Sequence, residues 1–226
     1  MAEDNRMSET VTFGGLINCM AVSDSGEIIA ATDRGLYSLT RRTMLSVRPA
    51  NAVDILGDLI FTISMEPKLQ TRNMTGTVLA ERALGILPCD SSRECLYPGL
   101  VTSYFLCNMG VSLNSGIWRL LESPDIDGPY SLPQEITGRR LRGLAFDGSH
   151  FWIANETEQI IYKLKMNPGM RRLETVNVLP RSLPNSSAIQ GLAWHDNKLY
   201  IAFQVDEETE IHIYEGEATS RRNERE

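Results

Sequence analysis

The sequence predicts an all-β fold built from five copies of one four-stranded unit, and three observations carry that prediction. The first is a long-range echo. GLAFDGSHFWIANETEQIIYKLK, starting at Gly143, is answered 48 residues later by GLAWHDNKLYIAFQVDEETEIHIY, starting at Gly191. The second is the spacing of a short apolar strand. EIIAAT at Glu27, LIFTIS at Leu59, YFLCNM at Tyr104, FWIANE at Phe151 and LYIAFQ at Leu199 follow one another at 32, 45, 47 and 48 residues. The third is a deficit at one end matched by a surplus at the other. The last copy lacks a fourth strand, while ETVTFGG precedes the first copy as a spare. Self-similarity at such a period marks a repeat architecture. A spare N-terminal strand that completes the last sheet closes a ring, so the expected fold is a five-bladed β-propeller.

Each element follows in order. The first strands are INCMAVS, NAVDILG, YPGLVTS, LRGLAFD and IQGLAWH. Tight turns follow them: DSG, Gly57-Asp58, a short one near Ser103, DGSH and DN. After the apolar second strands come GLYSLTR, KLQTRNM, GIWRLLE, QIIYKLK and EIHIYEG. Four of these five alternate apolar and polar residues as half-buried strands do, and KLQTRNM does so poorly. The fourth strands are MLSVRPA, TVLAERAL, PYSLPQEI and RRLETVNVL. The expected blades are 16–50, 51–85, 97–137, 140–180 and 188–216, the last completed by 9–14, with a charged tail at 217–226, all within one domain, 1–226. The first interval is tight, but four strands of about six residues with two-residue turns fit it. A small sheet with two apolar faces cannot bury both alone; packing sheets around a ring buries both and protects the edges. The rival arrangement of the same strands is a β-sandwich.

INCMAVSDSGEIIAATDRGLYSLT resembles blades of the two-component-regulator sensor propellers. GLAFDGSHFWIANETEQIIYKL is similar to blades of the NHL and gluconolactonase-like propellers. The resemblance implies the β-propeller superfamily and no particular task, and the Trp-Asp ending of WD repeats is absent.

The chain has 226 residues, 42% of them hydrophobic, and a net charge of −7. An acidic protein lacks a general attraction to phosphate backbones, so no nucleic-acid partner is expected. No apolar run is long enough for a membrane span. The polar, acidic start MAEDNRMSETVTFGG lacks the layout of a secretory signal, so a cytoplasmic protein, or a virion or complex subunit made there, is expected. Cys19 and Cys107 sit in apolar runs and read as core residues. Cys89 and Cys95 flank the loop CDSSREC and read as reduced thiols without a second ligand pair, so neither metal nor cofactor is expected. The sequons at Asn73, Asn155 and Asn185 read as chance, and SPDIDGPYSLPQE reads as a Gly/Pro turn before a calcium loop.

In a propeller, loops entering the first strand of a blade and loops joining its second and third strands share one face. Here that face is expected to gather Arg139, Arg140 and Arg142 with Glu156, Glu158, Asp206, Glu207, Glu208 and Glu210. The 15-residue stretch from Gly85 to Gly99 is the long loop of the set. A mixed charged rim fits a protein partner, and the chain reads as an interaction module or assembly scaffold with one working face. The alternative is a carbohydrate or small-molecule propeller, lectin-like or weakly hydrolytic. The chain is expected not to be an enzyme. Its first strands offer Asn18, Asp54, Asp147, Arg142 and Gln190 but no Glu, too few groups for a paired acid and base. Asp147 reads as a hairpin residue. His150, His195 and His212 read as turn or strand residues, and Trp118, Trp152 and Trp194 as packing between blades. The oligomeric state is left open.

Overall fold

The computed structural model describes residues 7–64, 68–84, 96–101, 103–108, 116–121, 126–137, 139–156, 158–179 and 188–215. Its strands run in chain order as antiparallel meanders. After β1 (Met7–Phe13), the first meander is β2 (Cys19–Val22), β3 (Ile28–Thr32), β4 (Gly35–Ser38) and β5 (Thr43–Ser46). The second is β6 (Ala52–Leu56), β7 (Leu59–Ile63), β8 (Lys68–Asn73) and β9 (Val78–Ala83). The third is β10 (Leu96–Val101), β11 (Tyr104–Asn108), β12 (Gly116–Leu120) and β13 (Ile126–Ser131). The fourth is β14 (Leu141–Phe146), β15 (Phe151–Asn155), β16 (Ile160–Asn167) and β17 (Arg172–Leu179). The last is β18 (Ala188–His195), β19 (Lys198–Val205) and β20 (Glu208–Glu215), completed by β1, whose Val11 pairs with Ile211 and Thr10 with His212. The two ends of the described chain are therefore paired in one sheet.

The meanders do not form five separate sheets. The third and fourth belong to one eight-stranded sheet, joined at a single parallel pairing of Ser131 with Arg172. The join has visible causes. The Ser131 N–H donates to the Arg171 carbonyl, and the Arg171 guanidinium pairs with Asp127 while lying 5.6 Å over the Tyr130 ring. Elsewhere the first strands pack one against the next: β2 on β6, β6 on β10, β10 on β14, β14 on β18 and β18 back on β2.

Apolar clusters fill the spaces between neighbouring meanders. Cys19, Ile29 and Leu36 meet Val53, Ile60 and Leu100; Leu106 and Ile117 meet Leu141 and Ile153; Trp152 and Ile161 meet Leu192 and Phe203; Ala193 and Ile211 meet Met20 and Ala30. Second strands such as β3 and β15 are buried along their whole length, as sheets covered on both faces require, while β9 on the outside is almost wholly exposed. The stacking of Trp152 on Trp194, 5.6 Å between centroids, fills the fourth-to-last interface, as the packing role of these rings requires.

The Gly-Leu of the fourth meander has a structural reason. Gly143 has φ +65°, and a Cβ there would lie 2.5 Å from the Leu192 nitrogen of the next meander. Only glycine lets first strands approach so closely with that backbone. The same strand carries a register shift between Arg142 and Leu144, and β10 and β18 carry theirs at Gly99 and Gly191. The DN turn is the two-residue hairpin its sequence announces, with φ +47° at Asp196 and +58° at Asn197.

Two expectations are corrected and one irregularity is explained. Asp127 and Gly128 lie inside β13, so SPDIDGPYSLPQE is not a simple turn there. Pro129 is tolerated because it falls at the register shift between the Ile117–Tyr130 and Arg119–Asp127 pairs, where the ladder needs no N–H from it. Leu96 to Gly99 belong to β10, which shortens the expected long loop; residues 85–95, with Cys89 and Cys95, lie outside the described residues. The weak alternation of KLQTRNM comes from polar residues on a buried face. Arg72, 2% exposed, donates to Ser46 Oγ, the Gly76 carbonyl and Gln70 Oε1, and Gln70 donates to Glu81. Burial, followed by the nearby Arg48 charge, lowers the Arg72 pKa.

Candidate functional face

At one end of the fourth meander, the loop before β14 meets the loop between β15 and β16. The Glu156 N–H donates to the Arg140 carbonyl at 2.9 Å, which holds the two loops together. Their side chains then saturate one another. Arg140 and Arg142 both reach Glu156 Oε2, at 3.0 and 3.2 Å, and Arg139 reaches Glu158 Oε1 at 3.0 Å. Glu158 also accepts from Asn155 Nδ2 at 2.9 Å and caps back through its own N–H to Asn155 Oδ1. The structure thus brings five of the sequence-predicted residues together, three arginines on two glutamates, each with an ion-pair partner.

Asp206 and Glu207 lie at the corresponding end of the last meander, in the turn between β19 and β20. No described residue forms an ion pair with Asp206, Glu207 or Glu208. Glu210 is different: its carboxylate lies 2.9 Å from His212 Nε2. The turn is held from behind. Gln190 of β18 donates to Gln204 at 3.1 Å, and Gln204 donates to the Asp206 carbonyl at 3.1 Å.

The turn also walls a cavity that sequence reasoning missed. About 580 Å³ in volume, it is lined by Phe13, Gly14, Gly15 and Leu16 before β2, by Thr32, Asp33, Arg34 and Tyr37 around the β3–β4 turn, and by Gln204, Asp206 and Glu207. Phe13 and Tyr37 meet at 5.3 Å with ring planes at 56°. Thr32 shapes the floor by accepting from the Arg34 and Gly35 N–H groups, and Thr209 Oγ1 donates to the Gly15 carbonyl at 2.6 Å, tying the entering segment down. The only sequence signal for it was positional: these are an entering loop and two second-to-third-strand loops, joined across the ring closure.

Asn18 and Asp147, also singled out, serve structure. Asn18 donates to the Ala50 carbonyl at 3.3 Å. Asp54 lies in β6 near Cys19, a buried free thiol whose pKa is pushed up to about 11, chiefly by burial. Asp147 holds the β14–β15 hairpin, accepting from the Ser149 and His150 N–H groups at 2.9 and 2.7 Å and from Trp152 Nε1 at 3.1 Å. Burial opposes its ionisation, but these donors win and keep its carboxyl below the usual aspartate range. Among the described residues no three His, Cys, Asp or Glu cluster as metal ligands, and no helix is long and apolar enough to cross a membrane.

No family model matches the sequence, and no curated protein does. Solved structures do match in fold. Glutaminyl cyclase from Myxococcus xanthus superposes with a TM-score of 0.65 at 9% identity, covering 92% of this chain and 96% of that one. BamB from Moraxella catarrhalis (TM-score 0.41, 10% identity, 88% and 85% covered) and the computationally designed Ika8 protein (0.42, 9%, 87% and 57%) are more distant. The chain therefore has an all-β, propeller-like fold. The expectation that it is not an enzyme is overturned: the cyclase, an enzyme, shares this fold along almost the whole chain, so the architecture does not set the protein apart from catalysts. The missing inner-strand glutamates spoke only to chemistry that needs a paired acid and base.

Proposed function

We propose that the chain is a single-domain, five-bladed β-propeller that works as a binding module, engaging a protein partner through the face where the entering and second-to-third-strand loops gather. Five meanders whose first strands pack in a closed cycle support the blade reading, with the third and fourth blades sharing an outer edge. The observation that carries the functional reading is the distribution of charge and space on that face. One blade presents Arg139, Arg140, Arg142, Glu156 and Glu158 already paired, and the next presents Asp206, Glu207 and Glu208, which form no ion pair with a described residue, beside a cavity. Unpaired charge of one sign steers an oppositely charged partner and fixes its orientation. A second reading, a small ligand held in the cavity, is favoured by the cavity's size, which lies within the range of ligand sites.

The test is site-specific photo-crosslinking in extract of the native cell. A photoreactive residue replaces Arg140 or Asp206 on this face, or Ser149 in the β14–β15 turn at the opposite end of the strands. The reading expects one discrete protein adduct from the first two positions, fading as salt rises, and none from Ser149. Adducts from Ser149 alone, or equally from all three, would refute it.

A further inference from the structure

The unpaired charge and the cavity are one feature. We infer that the cavity between the first and last blades is a pocket for an organic cation, an ammonium or guanidinium group on an apolar stem such as a lysine or arginine side chain. This rests on the reading of this face as the binding face.

The sign comes from the lining. Asp33, Asp206 and Glu207 set three carboxylates against the single guanidinium of Arg34, and no described residue forms an ion pair with any of the four. A protein of net charge −7 adds to the same negative field. The preference for an organic cation over a metal ion comes from the rest of the wall. Phe13 and Tyr37 lie tilted at 56°, and Leu16, 45% exposed, offers more apolar surface at the cavity. Aromatic faces attract cations through the ring quadrupole, and their bodies receive the methylenes of a long stem. A hydrated metal ion gains nothing from such a wall, and no triad of metal-ligating side chains is present among the described residues. Shape agrees as well. A Cβ at Gly14 would meet no atom within 4 Å, so the absent side chain leaves the pocket open there. The acidic turn is also positioned in advance by the Gln190–Gln204–Asp206 chain of hydrogen bonds.

Acetyl-arginine amide and its neutral isostere, acetyl-citrulline amide, are the probes, followed by backbone amide chemical shifts of the intact chain. Saturable shifts confined to residues 14–16, 32–37 and 204–207 are expected with the arginine compound, and binding at least about tenfold weaker with citrulline, an ordinary discrimination for one lost charge contact. Gly14→Leu should abolish the shifts by filling the pocket; no backbone strain accompanies it, and an unchanged far-ultraviolet spectrum verifies the fold. The isosteric pair Asp206→Asn with Glu207→Gln should weaken binding at least about fivefold. An acetylated Arg-Lys peptide that binds more tightly than the single amide assigns the cation to a basic segment of a protein, and equal affinity assigns it to a small molecule. Equal binding of arginine and citrulline amides, no saturable shift, or undiminished binding by Gly14→Leu would each overturn the proposal. If the pocket fails while Arg140 and Asp206 still crosslink a partner, the face stands and only its occupant is wrong. If the pocket binds while crosslinking fails, the protein-partner reading falls alone.

Discussion

The fourth meander and the closure between the last and first meanders carry similar charged residues in equivalent loops, yet among the described residues one set is paired and the other is not. Around Glu156, arginines and glutamates from two loops meet at 3.0 to 3.2 Å and satisfy one another. Around Asp206, three carboxylates and an arginine surround a cavity without ion pairs to described residues. Sequence supplies the sign of a charge; only the fold supplies its neighbours. Pairing tells which charges hold the molecule together and which remain for something outside it.

The most drastic way to break the comparison is to remove one region and keep the other. Deleting residues 1–14 takes away β1 and with it Phe13 and Gly14, leaving β20 as a bare edge and the cavity without a wall. The loss of a whole strand should reach or exceed the top of the range for single lesions, about 4–5 kcal/mol. Chemical denaturation measures it, and a midpoint within error of the full chain would contradict the ring closure.

Asp147 tests whether saturation of a carboxylate, as at Glu156, is worth stability at the other end of the same meander. Asp147→Ala leaves the Ser149 and His150 N–H groups and the Trp152 indole without their acceptor, at a cost of about 1–3 kcal/mol. The pH dependence has a definite sign. The folded carboxyl lies below its ordinary pKa near 4, so its contribution is present above that value and lost as pH falls through the folded value. Wild type should lose this increment on acidification and Asp147→Asn should not. Equal acid sensitivity of the two in urea titrations from pH 6 to 3 would remove Asp147 from the account.

Within the paired cluster, burial should decide the size of the effect. Glu156 and Arg142 both have side chains only 15% exposed, and Glu156 serves two arginines. Glu156→Gln should cost about 1–2 kcal/mol by leaving guanidinium donors short of charge. Arg139, 49% exposed, belongs to the class of surface pairs worth about 0–1 kcal/mol, and Arg139→Ala should fall there. The reverse order in thermal denaturation would show that the cluster is a solvated rim.

The pattern of strands was legible because the repeat is long and physical. Apolar second strands recur where sheets cover both faces, and the spare strand at residues 9–15 finds its partner at β20. The fusion of the third and fourth meanders was not legible, because it depends on Arg171 reaching Asp127, 44 residues away. The poor alternation of KLQTRNM has a related cause: polar neighbours brought in from Ser46 and Gly76 make the charged Arg72 acceptable in an interface. On the candidate face the arginines and glutamates were visible as charge, but their mutual pairing was not. The cavity had only a positional signal, since Phe13, Asp33 and Asp206 share no window of sequence.

The smallest expected effect is the most diagnostic of the difference between the two regions. Asp206→Asn combined with Glu207→Gln should change stability by no more than about 0.5 kcal/mol, because no described ion pair is lost. The sign should be zero or stabilising, since like charges around one cavity repel. Asp206 adds a second reason, having φ +54°, a conformation asparagine accepts readily. Glu207→Gln alone lacks that backbone contribution and isolates the charge. Salt then separates the regions. Raising ionic strength from low to physiological values screens the repulsion among Asp33, Asp206 and Glu207, which should raise the melting temperature slightly through this region. It screens attraction at the exposed Arg139–Glu158 pair, which should lower it slightly through that one. The salt increment of Glu207→Gln should therefore fall below that of wild type, and that of Arg139→Ala should rise above it. Increments that move in the same direction in both variants would mean that Asp206 and Glu207 are as well neutralised as Glu158, and the contrast between the two regions would be lost.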